Sequence, residues 1–224
     1  AMAQQDVRYY LNGMLLEVQG GKARAVATDG HRLALSETPL PGEQGEVELQ
    51  VILPRKAVLE LGRLLSDSER ELELELSPNH VRLRFGDESF TTKLIDGRFP
   101  DYERVIPSDS NKLMKVERDG FRQALARASI LSNEKYRGIR FSLSSGLLQL
   151  QAHNPEQEEA EEEIEVAYEG EDLVIGFNVG YLLDVLGVVE TPRVELALRD
   201  SNSSCLISGE DGGHSRYVVM PMRL

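Results

Sequence analysis

Residues 51–65 read VILPRKAVLELGRLL, and residues 174–188 read VIGFNVGYLLDVLGV. In each, a short apolar strand runs straight into an amphipathic helix. The two segments lie 123 residues apart, and their surroundings repeat with them. LELELSPNHVRLRF at 72–85 matches VELALRDSNSSCLI at 194–207, two alternating strands around a polar turn. FTTKLI at 90–95 matches YVVMPM at 217–222, and Gly13 to Val18 match Gly138 to Leu143. A repeat of this length makes each copy a folding unit of its own.

The predicted fold class is therefore α+β: tandem repeats of strand, helix and strands, with helices on one face of antiparallel sheets. The polar stretch SDSNK at 108–112 marks a linker, so the expected domains are residues 1–109 and 110–224. The second copy also has a leading strand at 113–117 and a helix at 121–131, for which the first copy has no room. The expectation is that the chain begins inside a domain; an asymmetric first domain is the alternative.

Helix faces carry the next signal, at 100° per residue. In 121–131, Phe121, Ala124, Leu125 and Ala128 form one apolar stripe, Ile130 points almost opposite, and Leu131 lies at its edge. Such an outward apolar residue is either partly covered surface or a protein contact. In 57–65, Val58, Leu61 and Leu65 face inward. Lys56 and Arg63 share the other face, with Arg55 at the N-terminal end, a pattern that also suits an ordinary solvated face.

The chain has 224 residues, 41% of them hydrophobic, enough for a packed core. Its formal net charge is −13, which alone argues against nucleic acid. However, twelve of the 38 acidic residues and no lysine or arginine fall between Phe141 and Pro192. The remainder holds all 25 basic residues and is nearly balanced, so it can present a positive face. From Gln157 to Ala167 the carboxylates Glu159, Glu161, Glu163 and Glu165 alternate with Ala160, Ile164 and Val166. As a strand this buries one face and puts a carboxylate row on the other, either guarding a sheet edge or awaiting a basic partner.

Several chemistries are missing. There is no P-loop, GxGxxG, HExxH, CxxC or GxSxG motif, and the four histidines are scattered. One cysteine, Cys205, excludes an internal disulfide and a cysteine-only zinc site. The apolar run at 182–189 falls far short of the ~20 residues a membrane span needs, and no secretory leader is read. The expectations are no catalytic residue, no metal, no cofactor, no membrane partner and a cytoplasmic protein. An enzyme with a carboxylate site among residues 156–165 is the weaker alternative, and a scaffold binding proteins only is the other.

Distinct motifs then occur in order: DVRYYLNG at 6–13, ATDGHRL at 27–33, LPRK at 53–56, DGRFPDY at 96–102, ILSNEK at 130–135, NPEQEEA at 154–160, GFNV at 176–179 and YVVMPMRL at 217–224. Together they resemble the bacterial sliding clamps, the DNA polymerase III beta subunit family, across the whole chain. The resemblance implies the DNA clamp fold, with most of the second and all of the third of three tandem domains. It implies a processivity factor that closes head to tail into a ring around double-stranded DNA and needs no base readout. It also implies short-motif partners: polymerase subunits, the clamp loader and repair proteins.

The resemblance assigns residues as well. Gln5, Tyr9, Arg55, Lys56 and Arg63 are expected on the DNA side, with Arg122 and Arg127 as weaker candidates. Ile130, Leu131, Glu156, Glu158, Glu159, Glu161 and Glu162 are expected at the homodimer contact. A groove for peptides of the type Gln-Leu-x-Leu-Phe is expected at the domain boundary. Its residues are Arg8, Tyr10, Leu11, Thr28, Gly30, His31, Arg32, Leu33, Pro100, Arg104 and Val105, together with Asn178, Tyr181, Ser204, Val218, Val219, Met220, Pro221, Met222 and Arg223. The residues themselves add one argument: Pro221 interrupts strand pairing, and methionines adapt to varied apolar partners. Asn202 is a departure, since some members of the family carry an apolar residue there, and its role in the groove is left open.

Overall fold

A computed structural model of the chain describes residues 1–40, 48–65 and 71–223. It divides into two compact units, Ala1–Asp101 and Tyr102–Leu224. The segment 108–112, read as a linker, lies inside the second unit. Tyr102 is buried, and Arg199 forms an ion pair with Asp109, tying this stretch to the loop after a later strand.

The first unit opens with a 3₁₀ turn, Tyr9–Leu11, followed by β1 (Gly13–Gln19), β2 (Lys22–Thr28), β3 (Arg32–Pro39) and β4 (Leu49–Pro54). These pair antiparallel in the order β4-β1-β2-β3. Helix α1 (Arg55–Leu64) follows directly, then β5 (Glu73–Leu76), β6 (His80–Phe85) and β7 (Glu88–Lys93) form a three-stranded sheet. β6 alternates exposed and buried residues along its whole length, the mark of a strand with one wet face. Leu53, Leu61, Val81 and Leu83 form a core, against which Val58, Leu65, Leu74 and Phe90 pack. Gly13 lets β1 approach β4 closely, since a Cβ there would collide with the Leu53 carbonyl oxygen.

The second unit has a 3₁₀ turn, Tyr102–Val105, then β8 (Lys112–Glu117) and α2 (Arg118–Ser129). β9 (Gly138–Ser144), β10 (Leu147–His153), β11 (Glu159–Glu165), β12 (Leu173–Asn178) and α3 (Val179–Leu186) follow. The last strands are β13 (Arg193–Leu198), β14 (Cys205–Gly209) and β15 (Ser215–Val219). One sheet runs β11-β10-β9-β12; the other strands pair β15-β14-β13-β8. Phe121, Ala124, Leu125 and Ala128, the stripe expected on α2, are all buried. Phe121, Phe141 and Phe177 meet edge to face, at 6.0 and 5.2 Å between centroids.

The repeat is real, with two corrections of register. Gly13 pairs with Pro54, and Gly138 with Asn178. Val51 is therefore equivalent to Ile175, one residue beyond the match made on apolar similarity. In the sheets, Leu74, Leu83 and Phe90 stand abreast, as do Leu196, Ile207 and Tyr217. Ile207 thus corresponds to Leu83 rather than Phe85, because the loop 199–204 is longer than the turn 77–79. Among the described residues of the first unit, nothing corresponds to β8 and α2.

Candidate nucleic-acid and peptide interfaces

The start of α1 has no side-chain cap. Instead the Arg55 N–H donates to the Asn12 carbonyl at 3.0 Å, fixing the helix to the Tyr9–Leu11 turn. Asn12 in turn holds Asp6: its Oδ1 accepts from the Asp6 N–H and its Nδ2 donates to the Asp6 carbonyl, both at 2.9 Å. Arg55 and the Gln5–Tyr9 stretch are thereby joined at one end of α1. Lys56 is exposed, and Arg63 lies seven residues on, about 10 Å along a helix axis. The Arg63 side chain is 81% exposed and pairs with Glu60 at 3.7 Å. Gln5 and Tyr9 are exposed, and the Tyr9 ring meets Tyr10 edge-on at 5.8 Å. Arg55 is half-buried, and its Nε has no hydrogen-bond partner among the described residues. A face of this kind can take phosphate oxygens and stack a base without reading sequence.

The β2–β3 turn gathers another expected group. Thr28 Oγ1 donates to the Arg32 carbonyl at 2.7 Å and accepts from the Gly30 N–H at 3.1 Å. Asp29 Oδ1 accepts from the N–H groups of His31 at 2.9 Å and Arg32 at 3.1 Å. Arg8 reaches the Asp29 carbonyl at 3.4 Å while its guanidinium grips Asp6 at 2.7 and 3.0 Å. That hydrogen-bonded guanidinium holds the Asp6 carboxyl down at about 2. Leu11 and Leu33 are buried, Tyr10 is half-buried and Pro100 is exposed.

In the second unit, Arg104 and Val105 sit in the 3₁₀ turn, with Val105 exposed. β15 stops at Val219, and residues 220–223 run on without regular structure. The Met222 N–H then donates to the Gly176 carbonyl of β12 at 2.8 Å. Met220 is 43% exposed. Val218 and Val219 are buried, and Val219 belongs to the interior core. Met222 and Arg223 line a cavity of about 310 Å³ with Asn133, Tyr136, Gly138 and His153. Ser204 and Tyr181, both half-buried, are outside that lining. Asn178 caps α3, its Oδ1 accepting from Gly180 N–H at 2.9 Å, and it donates to the Tyr136 carbonyl at 3.2 Å. Asn202 is exposed in its turn, its N–H on Asp200 at 2.9 Å. Leu224 lies outside the described residues. Tyr136 and His153 were not foreseen; Asn133 lies in the ILSNEK motif but carried no role.

β11 is an edge strand with its odd-numbered carboxylates exposed, as the alternation predicts. Ile130 ends α2 and is 77% exposed; Leu131 is half-buried. Glu156, Glu158, Glu159 and Glu161 are exposed, and Glu158 accepts from Asn154 Nδ2 at 2.6 Å. Glu162 differs from the rest of the row. Arg127 grips both its oxygens at 2.7 Å, and this hydrogen-bonded partner lowers its pKa. Arg127, a weaker DNA candidate, thus spends its charge on β11. Among the described residues no three acidic, cysteine or histidine side chains gather as a metal site. Burial pushes the Cys205 thiol up, away from nucleophile chemistry.

Comparison with known proteins matches residues 1–101 to the family described as DNA polymerase III beta subunit, central domain, and residues 103–223 to its C-terminal domain. The beta sliding clamp of Pseudomonas aeruginosa is 58% identical over the whole chain, and that of Pseudomonas putida 60%. The chain spans 61% of the length of each. A crystal structure of the P. aeruginosa DNA polymerase III subunit beta, also 58% identical, superposes with a TM-score of 0.96, covering 100% of this chain and 61% of that one. A P. aeruginosa clamp structure bound to griselimycin gives 0.95 at 58% identity, covering 100% of this chain and 60% of that one.

Proposed function

We propose, since the chain belongs to the DNA polymerase III beta subunit family, that it is part of a non-catalytic processivity factor for a bacterial replicative polymerase. The assembled protein is a homodimeric ring in the cytoplasm that encloses duplex DNA and uses no cofactor. Encirclement makes retention topological, so modest affinity through the basic end of α1 suffices. A bound polymerase is then held near the template at high effective concentration.

The observation that carries this reading is the tail surface: an exposed Met220 and a cavity of about 310 Å³ beside Met222 and Arg223. Soft, adaptable side chains on an open cavity suit one site with many peptide ligands. The residues of the β2–β3 turn, Arg8, Tyr10 and Pro100 are proposed to bind the same class of motif. Ile130 and the exposed carboxylates near β11 are proposed to meet a basic surface of a second subunit.

Calorimetric titration of this chain with a Gln-Leu-Ser-Leu-Phe peptide is the test. Binding is expected, and Met222→Asp abolishes it; an equal affinity for both proteins removes the tail from the site. The DNA arm is salt-dependent binding to primed duplex, weakened by Arg55→Ala with Lys56→Ala at every sequence tried. Peptide binding with no DNA affinity at low salt would favour the protein-only scaffold.

A further inference from the structure

The first unit repeats the chain path on which the tail surface depends. In the second unit the chain leaves β15 and bonds to the outer edge of β12, Met222 N–H to Gly176 carbonyl, at 2.8 Å. In the first, it leaves β7 and bonds to the outer edge of β4, Ile95 N–H to Ile52 carbonyl, at 2.9 Å. Phe90 and Tyr217 occupy equivalent places in their cross-strand rows. Counting on from them, Lys93 stands where Met220 does, Ile95 where Met222 does, and Asp96 where Arg223 does.

Beside this crossing the first unit has a cleft of about 460 Å³. Its floor includes Leu15, Ile52 and Phe99, all buried. Lys93 and Arg98 stand exposed at its rim, and neither side chain has an ion-pair partner among the described residues. One wall offers backbone. Because the Ile52 carbonyl points away from β1, Ile52 and Leu15 are a non-hydrogen-bonded pair of the ladder. Gln50 and Glu17, two residues along, are another. The Gln50 N–H and C=O therefore point outward too, along an edge that has no strand partner beyond the crossing among the described residues.

We infer that this cleft is a second peptide site, taking an extended segment with acidic side chains between apolar ones. Its backbone pairs with Gln50, its apolar side chains settle over Leu15 and Phe99, and a carboxylate lies between Lys93 and Arg98. The exchange of Met220 for Lys93 at the equivalent place changes the class of peptide recognised. A nucleic-acid backbone is served less well, because Asp96 sits in the same cleft and the strand edge has no use for phosphates. The inference takes only its analogy from the proposed peptide role of the tail; the cleft, cations and open edge are independent of it.

The experiment follows backbone amide resonances of the ¹⁵N-labelled chain during titration with the blocked hexapeptide acetyl-Ala-Leu-Asp-Leu-Glu-Ala-amide. Shifts are expected at Gln50, Lys93 and Arg98. Lys93→Glu with Arg98→Glu, both at exposed positions, weakens binding by roughly tenfold or more. The inference is overturned by no movement of these amides, by shifts unchanged in the double variant, or by displacement of the peptide by a decathymidylate. Gln-Leu-Ser-Leu-Phe probes the tail separately. Shifts at Met220 and Arg223 with the hexapeptide silent at Gln50 defeat the second site alone. Hexapeptide shifts at Gln50 with a silent tail defeat the tail reading and leave the cleft standing.

Discussion

Gly30 and Arg8 are locked together by geometry. Gly30 has φ +90°, and a Cβ there would stand 3.2 Å from the Arg8 guanidinium nitrogens. Gly30→Ala therefore meets an unfavourable backbone and displaces Arg8, at a cost of about 1–2 kcal/mol. A thermal midpoint equal to that of the parent would show that the turn relaxes freely. The Asp6 carboxyl, held at about 2 by Arg8 against an ordinary 3.8, gives a pH signature. A depressed carboxylate contributes stability that is present above its unfolded value and lost as pH falls through its folded one. The Asp6 clasp should stay intact at pH 4 and open near pH 2. Carboxyl ¹³C titration should show this midpoint, moved up towards 3.8 by Arg8→Ala; a midpoint near 3.8 in the parent would mean the clasp is not formed in solution. Neither feature was legible beforehand. Asp6, Arg8 and Gly30 were visible as motif residues, but the Asp6–Arg8 clasp, two positions apart, follows no helix or strand period, and the Arg8 contact with the Asp29 turn crosses 21 positions.

At the scale of elements, much more was readable, because helix stripes and strand alternation are direct consequences of burial. The four α2 stripe residues, the outward Ile130 and the alternating β11 all stand as their spacing implies. Register was harder. Val51 resembles Val174 in chemistry, yet β4 and β12 align Val51 with Ile175, since pairing obeys the pleat and hydrogen bonds rather than side-chain identity. The Arg127–Glu162 clasp, from α2 to β11, was equally hidden. Helix caps fall between these extremes: Asn178 precedes a helix in the usual way, but its double use is tertiary. Asn178→Ala removes the acceptor of the Gly180 N–H and should cost about 1 kcal/mol in chemical denaturation. Asn178→Asp keeps an acceptor and should recover most of it; equal losses in both variants would assign the effect to the lost Tyr136 contact instead.

For the molecule as a whole, the two repeats share one plan but differ in how fully it is covered. β13 is hydrogen-bonded on both sides, to β14 and β8, whereas among the described residues its counterpart β5 is bonded only to β6. α2 packs against β10, β11 and α3 in the second unit, and nothing equivalent appears among the described residues of the first. The second unit also buries the Phe121, Phe141 and Phe177 cluster, while Leu72 and Leu76 at β5 remain exposed. Local opening is governed by such differences in buried apolar contact and strand pairing. Under native conditions, amides bonded within β9, β10 and β13 should exchange most slowly. Those bonded between β5 and β6 should exchange roughly tenfold faster or more, and addition of low denaturant should leave that order intact until global unfolding takes over. Mass-spectrometric exchange on the intact chain resolves these strands as separate peptides. Equal protection of β5 and β13 would mean that strand pairing and the α2 layer do not set the stability of their unit, and that the two repeats open as one.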